Sequence, residues 1–391
     1  MALANAGFVV DAVCPSRHPL TATRAPRKTF PYRGLTPLAS IEAGIVAAHP
    51  DLLIPCDDLA TLHLHEIHER ERRRGVEGAA ICKLIERSLG APESFPVVHA
   101  RAEFMETARA EGVRVPRTAL VRNSVELEKW IGAAGLPVVL KSNGSSGGEG
   151  VRIAKTTEEA VRAFRTLQAP PQLARGLKRA LIDRDKTLIW PSILRSRWVV
   201  NAQEFVAGRE ATSLIACWNG TVLASLHFEV IQKLSSSGPA TVLRLVENTE
   251  MACATQKMAR RLGLCGLHGF DFMLEEGTGN AYLIEINPRT TQVGHLTLGP
   301  GHDLPAALYA AVSGRPVQES AKLTEKDTIA LFPRGWIRNP ESTFLQSAYH
   351  DVPWEEPDLV RAGLAKHRQE SHWDSQRKVI QSAAVLGVPT L

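Results

Sequence analysis

The chain has 391 residues, 44% apolar and 22% charged, an ordinary balance for a globular protein, and its length allows two to four domains or subdomains. A net charge of +5 is too mild to argue for nucleic acid and suits anionic small substrates equally well. No run of about 18 apolar residues is present, so no membrane-spanning helix is expected. The N-terminus lacks the pattern of a secretion signal, and a cytoplasmic protein is the expectation. Cys14, Cys56, Cys82, Cys217, Cys253 and Cys265 form no C-x-x-C pair and read as reduced thiols, most of them buried.

Met1 to Ala6 reads as the tail of a helix stopped by Gly7. "GFVVDAVCP" (Gly7–Pro15) and "DLLIPC" (Asp51–Cys56) read as buried parallel strands with helical material between and after them. This is an α/β layer domain, over 1–97, that lacks an opening strand. The expectation is a chain start inside the domain's first helix, which upstream codons encoding an apolar strand and a turn would bear out. Glu103 to Gly112 is a helix closed by glycine, and "VRVPRTALV" an extended segment. Asn123 caps a helix through Ala134 with Glu126 in capping-box position. The strand "PVVLK" then enters "SNGSSGGEG" and "VRIAKT" returns, with Thr157 as cap of the next helix. The glycine loop therefore joins two strands, unlike a P-loop, and its lysine precedes the glycines.

Residues 170–198 hold seven Lys/Arg against two Asp and read as a basic surface insertion in preference to a functional lid. A β-rich half follows in "WVVNAQEFVAG", "ATSLIACWNGTVLASLHFEVIQKL" and "TVLRLVEN", then a helix from Met251 to Leu262. Leu304 to Ser313 is a closing helix with Gly314 as its stop. The predicted units are 1–97, a first lobe at 98–198, a second at 199–315 and an extension at 316–391 that is loosely attached from about Lys366.

The most informative segment is "GFDFMLEEGTGNAYLIEINPR". It reads as a hairpin centred on Thr278, which places Asp271 opposite Glu285. Asn287 lies two residues on, on the same face. Two carboxylates and an amide oxygen make a hard oxygen site suited to Mg²⁺, with Mn²⁺ as the alternative ion. Arg289 continues the alternation toward an anion. Alone, these could be solvent-face acids on an ordinary hairpin; the interleaved Phe270, Phe272, Ile284 and Ile286 and the upstream glycine loop reduce that reading.

These motifs resemble the ATP-grasp superfamily of carboxylate–amine ligases, relatives of biotin carboxylase and D-alanine–D-alanine ligase. The resemblance covers about residues 98 to 315 and implies two α+β lobes gripping ATP, preceded by a doubly wound α/β domain. It implies that Arg101, where lysine is usual, and Lys141 hold the α- and β-phosphates. Ser145, Ser146, Gly147, Gly148 and Gly150 would close over the triphosphate through backbone N–H groups. In "AQEFVAGRE" it implies a hinge at Gln203 with adenine on the main chain of Glu204, Phe205 and Val206, and ribose on Glu210. Asp271, Glu285 and Asn287 are the implied metal ligands. Lys233 would approach the γ-phosphate, and Arg289 the acyl phosphate or substrate carboxylate.

The implied activity is ATP- and Mg²⁺-dependent activation of a small carboxylate as an acyl phosphate, attacked by an amine. The alternatives are a biotin-carboxylase or carbamoyl-phosphate type reaction with bicarbonate, and a non-catalytic ATP-binding sensor. "TTQVGH" has Gly294 where the carboxylase-like Q-V-E-H has its acid, which weighs against bicarbonate. An oligomer is compatible; neither nucleic acid nor a membrane is expected as partner. "TLHLHEIHERERRR" is not H-E-x-x-H and reads as a helix face of Glu–Arg pairs. Asp57 and Asp58 end a predicted strand, where α/β sheets place ligands, but helix capping is the simpler role. "HDVPWEEP" suggests no mechanism.

Overall fold

The computed structural model describes residues 1–16, 18–143, 150–169, 198–235, 238–316, 321–335 and 342–364. Ser145, Ser146, Gly147, Gly148 and most of the basic insertion lie outside them, as does the tail from Lys366. Helix α1 (Ala2–Asn5) leads through Gly7, at φ 108°, into β1 (Asp11–Cys14), which pairs in parallel with β2 (Lys28–Pro31). Helices α2 (Pro37–Ala48), α3 (Asp58–Arg73) and α4 (Ala79–Leu89) complete this layer around Ile45, Ile67 and Ile85. The expected strand at Asp51–Cys56 does not form and joins no ladder; Leu53 N–H donates to Ser88 Oγ instead. The partner of β1 is the short, polar "KTFP", which no periodicity distinguishes from a loop.

The short α5 (Phe95–His99) runs into α6 (Arg101–Ala110). A four-stranded sheet then forms in the order β3 (Thr118–Val121), β6 (Val200–Glu204), β4 (Val138–Ser142), β5 (Val151–Ala154). Helices α7 (Ser124–Ala134) and α8 (Thr157–Gln168) bury Leu127, Ala160 and Phe164 against it. Asn123 caps α7 by accepting from Glu126 N–H at 2.9 Å, and Glu126 accepts in return from Arg122 N–H. The cap of α8 is Thr156 rather than Thr157. Being the last residue in extended conformation, Thr156 can turn its hydroxyl onto the freed N–H of Glu159.

The seven-stranded sheet has the order β11 (Ala281–Asn287), β10 (Gly266–Glu275), β7 (Gly208–Trp218), β8 (Thr221–Lys233), β9 (Ala240–Leu245), β12 (Thr328–Leu331), β13 (Tyr349–Asp351). β7 and β8 join at Asn219–Gly220, both at positive φ (49° and 76°), as a tight right-twisting hairpin requires. Alternate residues of β7 serve opposite cores. Ile215 and Cys217 pack with α6 and with α9 (Thr249–Leu262), whereas Leu214 and Ala216 pack with α10 (Leu304–Ser313). A sheet covered on both faces accounts for the unbroken apolar runs in this half. α11 (Thr343–Ser347) packs near β12 and precedes β13.

The sheets divide the chain differently from the predicted units. β6 pairs with β3 and β4 although it follows residue 198, and α6 packs on the larger sheet although it precedes the first lobe's strands. Residues of the extension enter the larger sheet through β12, which pairs with β9. Cys14, Cys82, Cys217 and Cys265 are buried, whereas Cys56 and Cys253 are exposed; all six are free thiols.

Candidate active site

The hairpin of β10 and β11 holds the metal candidates because of a single irregularity. Near the turn the register runs Phe272↔Leu283 and Met273↔Tyr282, but beyond a bulge it becomes Asp271↔Glu285, Phe270↔Ile286 and Gly269↔Asn287. The bulge leaves Leu283 and Ile286, three residues apart, both in the core with Phe270 and Phe272. Glu285 and Asn287 thereby face the cleft beside Asp271. In an unbulged hairpin with this turn, Glu285 would share a face with Leu283 and enter the core. The symmetric reading about Thr278 thus gives the observed pair, although the inner register is one residue off.

Asp271 accepts from Thr212 Oγ1 at 2.8 Å and from Asn287 Nδ2 at 2.9 Å. Burial, then the neighbouring Glu285 charge, push its carboxyl above the ordinary range, outweighing those hydrogen bonds. Burial also works to raise Glu285, but Arg101 and Lys141 outweigh it and hold that carboxyl low. Arg101 meets Glu285 at 2.7 Å. Lys141 is 6% exposed and donates to Ile284 C=O at 3.3 Å. Burial drives its ammonium down to about 8, against the pull of Glu285. Two adjoining carboxylates with an amide on one face form an oxygen set that fits a divalent cation. The raised Asp271 carboxyl is the demand such a cation would meet.

These groups line one cleft of about 2370 Å³ with Gln203, the hinge and Glu210. At the hinge, Glu204 N–H donates to Arg117 C=O and the ladder resumes at Ala207, whose carbonyl accepts from Glu276. The backbone of Phe205 and Val206 lies between these anchors, along the cleft wall. Glu210 and Lys233, on paired strands β7 and β8, form an ion pair at 2.5 Å. Gly150 is buried, with its carbonyl taking Ser142 N–H; it stands at the edge of the described loop and does not line the cleft.

Arg289 departs from expectation. Its Nε and NH2 grip Asp58 at 2.9 and 3.2 Å, NH2 reaches Asn287 Oδ1 at 3.2 Å, and NH1 donates to Thr290 C=O. The guanidinium expected to meet substrate is thus mostly engaged within the protein. Asp58 occupies the first turn of α3, where Asp57 caps by accepting from Ala60 N–H at 2.7 Å. Both neighbours line the cleft, and Asp57 in addition caps the helix. Thr290 N–H to Pro55 C=O and Thr61 Oγ1 to Pro288 C=O lock this corner to the hairpin exit. From sequence, Asp58 stands only as a residue at the ligand-binding end of a strand, with helix capping as the simpler role. Its signal was position after a predicted strand, without any pattern to name its partner 231 residues away. Farther along α3, Glu69 holds Arg72 and Arg73 at the surface, and the buried Glu71 holds Arg74.

Among the described residues no helix is long and apolar enough to cross a membrane. The family model of the carbamoyl-phosphate synthase L chain, ATP binding domain, matches residues 100–298. The carbamoyl phosphate synthase large chain of Methanosarcina acetivorans is 25% identical over 246 residues, covering 62% of this chain and 21% of that protein. Biotin carboxylase 1 of Bacillus subtilis is 24% identical over 250 residues, covering 62% and 52%. The chain therefore spans about a fifth of the first relative and about half of the second. The biotin carboxylase domain of Hydrogenobacter thermophilus 2-oxoglutarate carboxylase, solved with MgADP, ADP and bicarbonate, superposes with a TM-score of 0.56 at 16% identity over 82% of this chain and 67% of that one. N5-carboxyaminoimidazole ribonucleotide synthetase of Thermus thermophilus gives 0.55 at 15% identity, covering 82% and 76%. The fold is ATP-grasp, and the chain belongs to the family of the carbamoyl-phosphate synthase L chain, ATP binding domain.

Proposed function

We propose that the protein is an ATP- and Mg²⁺-dependent ligase that activates a small carboxylate as an acyl phosphate for attack by an amine. The observation that carries this reading is the bulged hairpin, which presents Asp271, Glu285 and Asn287 to the same cleft as Lys141 and Arg101. In this reading Arg101 and Lys141 hold the α- and β-phosphates, and Ser145, Ser146, Gly147, Gly148 and Gly150 cover them. The main chain from Glu204 to Val206 takes adenine, Glu210 the ribose and Lys233 the γ-phosphate. Asp271, Glu285 and Asn287 would hold Mg²⁺, or Mn²⁺ in its place; the ion supplies neutralisation of the phosphate oxygens.

The substrate carboxylate oxygen attacks the γ-phosphorus and ADP departs; the neutral amine then attacks the acyl carbon, and phosphate departs with the proton that the amine loses. No side-chain nucleophile is needed, because positioning and charge neutralisation carry the acceleration. A pool of carboxylates and amines should stimulate phosphate release from ATP, and Glu285→Ala should abolish it in a folded protein. ATP binding without substrate-dependent phosphate release would favour the sensor.

A second reading, with bicarbonate as the carboxylate, draws on the named activities of the relatives. Against it stands Gly294. A Cβ there would lie 2.4 Å from Thr290 Oγ1 and 2.9 Å from Leu214 Cδ2, so the acid of the carboxylase-like pattern would require both side chains to shift. Bicarbonate-stimulated phosphate release in the same assay would restore that reading.

A further inference from the structure

Around the metal hairpin most charges of the cleft stand in pairs. Arg101, Lys141, Lys233 and Arg289 line it together with Asp57, Asp58, Glu210, Asp271 and Glu285. The pairs are Arg101 with Glu285, Lys233 with Glu210, and Arg289 with Asp58. In the ligase reading, on which this inference rests, nucleotide and substrate anions claim the cations, and every acid so released needs a new partner. Asp271 and Glu285 have the metal, and Glu210 has the ribose hydroxyls. Of the three acids released from these pairs, Asp58 alone is left without one.

We infer that Asp58 receives the positively charged amine substrate, taking its ammonium when the substrate anion takes Arg289. The geometry supports an exchange rather than a permanent structural pair. Asp58 and Arg289 both line the cleft, and the Asp58 side chain is 40% exposed. Asp58 belongs to α3 and Arg289 to the hairpin exit, so the two charges come from different elements. They are 2.9 Å apart at closest approach, which sets a carboxylate-binding and an ammonium-binding group side by side: the ammonium passes one proton to the Asp58 carboxylate, the neutral amine attacks the acyl carbon, and the departing phosphate takes the second proton. Asp57 cannot substitute, because its carboxylate caps α3, and α3 is fixed to the hairpin exit through Thr61.

The test compares two nucleophiles on the carboxylate that the pool assay identifies: its amine partner, protonated near neutral pH, and hydroxylamine, largely uncharged there. Amide and hydroxamate are measured in competition. A charge-assisted hydrogen bond lost to Asp58→Asn should lower the preference for the charged amine by roughly tenfold or more, whatever the absolute rate. Asp58→Glu should recover part of that preference. An unchanged amide-to-hydroxamate ratio in Asp58→Asn, even with both rates depressed, would show that Asp58 acts only by orienting Arg289 and would overturn the inference. Failure of the wild-type protein to form either product overturns the ligase reading itself, so the two failures are distinguishable.

Discussion

Lys141 gives the sharpest quantitative consequence of the site. It sits at 6% exposure, and burial lowers its ammonium from 10.5 to about 8. At about 1.36 kcal/mol per pH unit this is roughly 3 kcal/mol by which the charged lysine opposes folding below pH 8. The unfolded chain keeps its proton up to the ordinary lysine range, whereas the folded one releases it near pH 8. Between those values the unfolded state binds more protons, so this group's contribution to stability rises with pH. Lys141→Met keeps the buried stem and removes the charge. It should therefore stabilise the protein by roughly 3 kcal/mol at pH 7, and the advantage should fade as pH rises from about 8 toward 10.5. Urea unfolding of both proteins in EDTA, at intervals from pH 6.5 to about pH 10, measures the difference, in which the other titrations cancel. The same substitution should abolish nucleotide-dependent phosphate release. A variant less stable than wild type at pH 7, or a stability gap that does not change with pH, would refute the reasoning.

Two further outcomes follow from local geometry. Gly294→Glu should destabilise by about 1–3 kcal/mol, the range for overpacking, because its Cβ collides with Thr290 and the fully buried Leu214; it should confer no bicarbonate-stimulated phosphate release, and wild-type stability by thermal melting would contradict the packing argument. Asp57→Ala removes the cap of α3 and should cost about 1 kcal/mol in urea unfolding. An unchanged midpoint would mean that the tertiary anchors at Thr61 and Thr290 alone hold that helix end.

Much of this protein is legible in its sequence because the deciding signals are local. Asn123 with Glu126, Gly112 and Gly314 mark helix ends by backbone chemistry that operates within one turn. The strand–glycine loop–strand order around Lys141 and the acid-bearing strands around "EEGTGN" are likewise patterns of adjacent residues. What the sequence could not decide are pairings between distant segments. β1 pairs with the polar Lys28–Pro31, not with the apolar Asp51–Cys56, because ladder formation depends on which edge is brought alongside. β6 belongs with the first sheet, and α6 with the second, because burial follows contact in space rather than order along the chain. The chemistry shows the same division. The sequence by itself set Asp271 opposite Glu285 with Asn287 on the same face, but only the tertiary structure shows the bulge that reconciles this with Leu283 and Ile286 both in the core. Arg289 was legible as a cation at the end of that strand. Its engagement by Asp58 arises only when α3 is carried to the hairpin exit, since an ion pair needs proximity and sequence carries no distance.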